Sequence, residues 1–108
     1  MSSASSRRTA PRVGVYAMTK ASLNNMVEWL AMELMDDNIR VNGIAPGIIP
    51  SKLSGPLQPI ALNSRFSHPK ILGKPEDIGG LAAAICSADG AFLNGETIHP
   101  SGGFANKM

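Results

Sequence analysis

An α/β domain with a parallel sheet is predicted by three features of this 108-residue chain. Leu23, Met26, Val27, Leu30, Ala31 and Leu34 recur at the helical period and define an amphipathic helix over about 16–36. The stretch Ile39-Arg40-Val41-Asn42-Gly43-Ile44-Ala45 is rich in β-branched residues and follows that helix after a very short turn. A helix that feeds a strand in this way is the αβ step of a parallel sheet. The same order recurs near the end, with a helical pattern from Pro75 and a strand over 96–99.

Residues 1–13 hold Ser, Arg, Thr and Pro11 without periodicity and are expected to form a loop. On the helix that follows, Glu28, Glu33, Asp36 and Asp37 occupy polar positions, Trp29 and the methionines read as packing residues, and Asp37-Asn38 suits a terminal turn. Pro46-Gly47 ends the first strand, since Pro cannot donate to a ladder and Gly lets backbone approach a ligand. Residues 51–69 are irregular, and a loop of this length is either functional or a tolerated surface insertion. Leu53, Leu57, Ile60 and Leu62 would give it an apolar side. Pro75-Glu76-Asp77 places a residue without a backbone donor, and two acids, where a helix begins. Ile78, Leu81, Ala82, Ile85 and Cys86 form that helix's apolar face, and Asn94-Gly95 turns the chain into the last strand.

Hydrophobic content of 44% is enough for a real core in one domain or part of one, and the net charge is only +2. Basic residues are scattered apart from Arg7-Arg8 and Arg12, so no nucleic-acid footprint is expected. The single cysteine, Cys86, cannot form an intramolecular disulfide; it reads as a small buried hydrophobe in a reducing, cytoplasmic setting. No run is apolar enough to span a membrane, and the start has no secretory signal; mitochondrial and peroxisomal addresses are weakly matched. His68 and His99 lack metal-ligand spacing, and no metal site is expected.

The chemistry centres on Tyr16 and Lys20, four residues apart at the head of the first helix and therefore on one face. An ammonium beside a phenol stabilises the phenolate, which prepares the tyrosine to exchange a proton. Four further features surround this pair: Ser3 thirteen residues upstream; Arg40-Val41-Asn42-Gly43-Ile44-Ala45-Pro46-Gly47; Leu72-Gly73-Lys74-Pro75-Glu76-Asp77; and Asn94-Gly95-Glu96-Thr97 with Gly102-Gly103. In this order and spacing the chain resembles the C-terminal half of a short-chain dehydrogenase/reductase, from Ser2 to about Gly103. Within that family it is similar to the carbonyl reductases of the dehydrogenase/reductase member four group.

The resemblance implies the C-terminal portion of a Rossmann-like doubly wound parallel sheet. It divides the chain into a serine loop (1–15), a catalytic helix (16–37), a strand with a Pro-Gly nicotinamide loop (39–49), a substrate loop (50–74), and a last helix, strand and tail (75–108). It implies catalytic roles for Ser3, Tyr16 and Lys20, with Tyr16 as proton donor, Lys20 binding ribose, and Ser3 orienting the substrate oxygen. Pro46, Gly47 and Ile49 would line the nicotinamide of NADP or NAD, and Ser51, where the family usually has threonine, would contact phosphate. The substrate would be a small carbonyl or alcohol. The helix over 16–36 would pair with its counterpart in a homo- or hetero-oligomer.

The family's Gly-rich turn and ribose selector belong before Ser3 and have no counterpart in residues 1–108; nor has the asparagine that many members use as a fourth catalytic group. Gly102-Gly103 do not serve as that turn, because no helix follows them. The 108-residue polypeptide is accordingly expected to be inactive alone, and to be unstable, dimeric or bound to something. A non-catalytic interaction module that pairs with a full-length relative is the alternative reading.

Overall fold

The computed structural model describes residues 1–57 and 72–103. Ile60, Leu62 and His68 lie outside the described residues. The first helix, α1 (Gly14–Glu33), begins one half-turn before Tyr16 and continues as a 3-10 turn over Met35–Asp37. Asn38 closes it in the left-handed region at φ 57°, a conformation that Asn tolerates better than most residues. Its N–H reaches the carbonyl of Met35 at 3.1 Å, and that of Ile39 reaches Leu34 at 3.3 Å.

The sheet is parallel, as the αβ order predicts, but its regular strands are short. β1 (Gly43–Ile44) pairs with β2 (Thr97–Ile98), Gly43 opposite Thr97 and Ile44 opposite Ile98. The ladder continues through Gly43 N–H to Glu96 O (2.8 Å), Ala45 N–H to Ile98 O (2.8 Å) and Gly47 N–H to Pro100 O (2.9 Å). The expected strand over 39–45 starts late because side chains replace the ladder at its entrance. Asn94 Oδ1 accepts from Val41 N–H, while Asn42 donates to Leu93 O and accepts from Glu96 N–H. Arg40 adds two bonds, to Gly90 O at 2.9 Å and Leu93 O at 3.0 Å.

The other edge of β1 is also occupied. Ser2 N–H donates to Ile44 O and Ala4 N–H to Pro46 O, both at 2.8 Å, so residues 2–4 run alongside β1. The rest of 1–13 is the irregular segment expected, apart from a 3-10 turn over Ala4–Ser6. Pro46, which has no N–H, accepts on this side and donates nothing.

α2 (Pro75–Cys86) opens as the sequence implies: Asp77 Oδ2 accepts from Lys74 N–H at 2.8 Å, and Asp77 N–H donates to Lys74 O at 3.0 Å. Ile85 is buried and Ile78, Leu81 and Ala82 are half-buried. Cys86 is exposed, contrary to expectation. One position beyond Ile85 turns a side chain about 100° around the helix, away from the face that packs.

The core differs most from expectation. Among the described residues the buried apolar set is Ala4, Ala17, Ala31, Ala45 and Ile85, with no large side chain fully buried. Small residues let α1 lie close to the sheet, and Ala31 would meet a Cβ added at Gly95 at 3.4 Å. Leu23, Val27 and Leu30 of α1 are half-buried, and another part of its apolar surface is open. Val15, Met18, Met26, Trp29 and Met32 are exposed, Trp29 by 53%, so the packing role expected of Trp29 and these methionines is not met within the described residues. No helix among the described residues is long and apolar enough to cross a membrane, and no cluster among them could hold a metal ion.

Candidate active site

The candidate site lies where residues 2–4, the end of β1 and the first turns of α1 converge. Ser3 is extended (φ −156°, ψ 152°) and caps a 3-10 turn over Ala4–Ser6, its Oγ accepting from Ser5 N–H at 3.2 Å. A hydroxyl that accepts in this way keeps its proton for another oxygen. On either side, Ser2 and Ala4 are buried and hydrogen-bonded to β1, so the backbone that carries Ser3 is fixed from both directions.

Tyr16 and Lys20 share a face of α1, as their spacing predicts. The Lys20 ammonium lies 5.6 Å from the centroid of the Tyr16 ring, within cation–π range. It also donates to Met1 O at 3.3 Å. Ser2 returns the connection, its Oγ donating to Lys20 O at 2.8 Å. One turn further along, Asn24 Nδ2 donates to Ser6 Oγ at 2.8 Å. The segment bearing Ser3 is thereby stitched to the helix bearing Tyr16 and Lys20. The ties run through Met1, Ser2 and Ser6, the neighbours of Ser3.

Pro46 adjoins this group through its bond from Ala4. Gly47 is required for a reason beyond the one its sequence gives. A Cβ there would come 2.9 Å from Ser101 Cα, so its missing side chain also admits the chain after β2. Ile49 sits on the α2 side, its Cδ1 where a Cβ of Gly73 would fall, beside a cavity of about 390 Å³ bordered also by Asp77, Ile78 and Pro100. Its carbonyl accepts from Ser54 Oγ at 2.5 Å. Ser51 is exposed and stands in a separate turn, bonded to Ser54. Tyr16, Lys20 and Pro46 are therefore tied to the segment that carries Ser3, whose own hydroxyl accepts from Ser5, with Gly47 and Ile49 following along the strand end and Ser51 beyond it.

The donor chemistry fits a ribose-bearing cofactor. Lys20 directs one N–H at Met1 O and has others to offer hydroxyl groups, and Tyr16 is 41% exposed, open to a ligand. His99, half-buried at the end of β2, has its pKa lowered by burial and by the Arg7 guanidinium, with a hydrogen bond to the Thr97 backbone acting in the opposite sense. Sequence reasoning overlooked Ser2, which is only 7% exposed. The signal was available: in a strand, alternate residues face opposite sides, so in Ser2-Ser3-Ala4 the first serine and the alanine share a face that Ser3 does not.

The family profile described as enoyl-(acyl carrier protein) reductase matches residues 1–105. Mouse dehydrogenase/reductase SDR family member 4 is 35% identical over 102 residues, 91% of this chain and 37% of that protein. The Caenorhabditis elegans protein of the same name is 37% identical, over 96% of this chain and 43% of its own length. The 7alpha-hydroxysteroid dehydrogenase of Escherichia coli K12 is also 37% identical, over 86% and 38%. The chain thus spans less than half the length of these relatives. Among solved structures, 4-hydroxyisoleucine dehydrogenase complexed with NADH and succinate superposes with a TM-score of 0.83 at 28% identity, covering 98% of this chain and 44% of that one.

Proposed function

Because the chain belongs to the short-chain dehydrogenase/reductase family and is similar to its member four group, we propose that it carries the proton-transfer side of a reversible reduction of a ketone or aldehyde to an alcohol. The single observation that supports this reading most is the contact of the Lys20 ammonium with both Met1 O and the Tyr16 ring, which joins the segment bearing Ser3 to the tyrosine. A bound nicotinamide cofactor, NADP or NAD with NADPH favoured by likeness to the member four group, supplies hydride to the carbonyl carbon.

The chain's own residues handle the oxygen. Tyr16 donates its hydroxyl proton to the developing alkoxide, and the Ser3 hydroxyl hydrogen-bonds the same oxygen and orients it. Lys20 holds ribose hydroxyls and keeps positive charge beside the phenol. Pro46 and Gly47 would border the nicotinamide, and the backbone of Ile49, whose carbonyl accepts from Ser54, would offer its groups to the carboxamide. Ser51 serves a phosphate once turned from Ser54. The substrate is a small carbonyl or alcohol.

The test is carbonyl reduction by the protein isolated from its own cells, with NADPH and NADH offered separately. Tyr16→Phe should lower kcat about 10²- to 10⁴-fold, the usual contribution of a positioned general acid. Full activity in that variant overturns the assignment. The 108-residue polypeptide on its own is expected to show no turnover above its Tyr16→Phe variant.

A second reading rests on the exposed apolar run of α1, Val15, Met18, Met26, Trp29 and Met32. It makes this helix an oligomerisation face, pairing with a second copy or with a full-length relative. Recovery of the chain with an intact reductase supports that role, and a monodisperse monomer counts against it.

A further inference from the structure

We infer that Ser2 is a positioning residue for the site proposed above, holding Lys20, and through it Tyr16, in register with Ser3. The inference rests on that reading of Tyr16 and Lys20. Residues 1–2 and Lys20 make a reciprocal clasp: the Ser2 hydroxyl donates to the Lys20 carbonyl at 2.8 Å, while the Lys20 ammonium donates to the Met1 carbonyl at 3.3 Å. The Lys20 carbonyl is thus fixed at the base of the very side chain whose tip is fixed by Met1. Ser2 is itself anchored, its N–H donating to Ile44 O at 2.8 Å and the residue 7% exposed.

A buried hydroxyl that joins strand to helix at this point sets the rise of α1 against residues 2–4, and therefore the reach from Tyr16 to any oxygen held by Ser3. Misplacement of a reacting group by as little as an ångström costs up to about a hundredfold in rate. Thr suits an extended position and keeps the hydroxyl; Ala removes it; Cys nearly keeps the volume but donates weakly.

The experiment compares Ser2→Ala and Ser2→Thr with wild type and Tyr16→Phe, as the protein isolated from cells producing each. Ser2→Ala is expected to lower kcat about tenfold with KM little changed and to displace the pH profile of kcat. Ser2→Thr should restore both. A profile that keeps its position while its height falls, or a kcat that does not change, overturns the inference. Tyr16 is the only tyrosine of the chain, so its ring Cζ gives a single tyrosine carbon NMR signal in the 108-residue polypeptide without any need for turnover. That signal should move in Ser2→Ala and return in Ser2→Thr; an unmoved signal also overturns the inference. Ser2→Cys takes the place of Ser2→Ala if the latter does not fold. An active Tyr16→Phe variant would instead sink the proposed function, and the ring signal would still judge Ser2.

Discussion

His99 shows how a residue outside the proposed catalytic group shapes behaviour. Burial, then the charge of Arg7, lowers its pKa below the ordinary 6.5, so the folded chain prefers it neutral. The unfolded chain therefore takes up the proton first as pH falls, and stability drops as pH passes down through 6.5 towards the folded value. Thermal unfolding followed across this interval should show a falling Tm, and His99→Gln should flatten the slope; an unchanged slope would refute the assignment. The sequence allowed only a structural or exposed histidine here, because Arg7, whose charge acts on it, is remote in the chain. Tyr16 and Lys20 were legible for the opposite reason, since helical spacing alone places them together.

Among the elements, the two helices and the parallel order of the strands could be read from period and turn residues, while the strand boundaries could not. Side-chain amides of Asn42 and Asn94 take over the bonding that a ladder would supply, and no periodic pattern encodes that exchange. Residues 2–4 escaped detection because three residues are too few for an alternating pattern to stand out. Arg40 binds the turn after α2 to the entrance of β1 through the carbonyls of Gly90 and Leu93. Arg40→Met should cost about 2 kcal/mol, the scale of one hydrogen bond to a charged group, because both bonds leave the same part-buried nitrogen, Nη1. Denaturant unfolding measures it, and a loss indistinguishable from zero would show that water replaces the guanidinium at no cost.

For the molecule as a whole, the composition promised a core that the described residues assemble mainly from alanines, with Ile85 the one large buried side chain among them. Hydropathy reports how much apolar surface exists and not whether the same chain covers it. The exposed run on α1 is the counterpart of that thin core, and burial of apolar surface is worth about 25 cal/mol per Å². Trp29, the only tryptophan, stands 53% exposed in the middle of the run. Its emission should shift to the blue as protein concentration rises if α1 pairs with a second copy, whereas a spectrum independent of concentration would reject self-assembly. The junction of β1 and β2 has one more consequence, for chemical ageing. Asn-Gly is the dipeptide most prone to cyclise and deamidate, because the glycine nitrogen can attack the preceding side-chain amide. Both such pairs, Asn42-Gly43 and Asn94-Gly95, lie at this junction with their amides engaged and their glycine N–H groups donated, to Glu96 O and Val41 O. The fold withholds the nucleophile at each, so conversion to aspartate becomes a clock that runs in the unfolded chain and is nearly stopped in the native one.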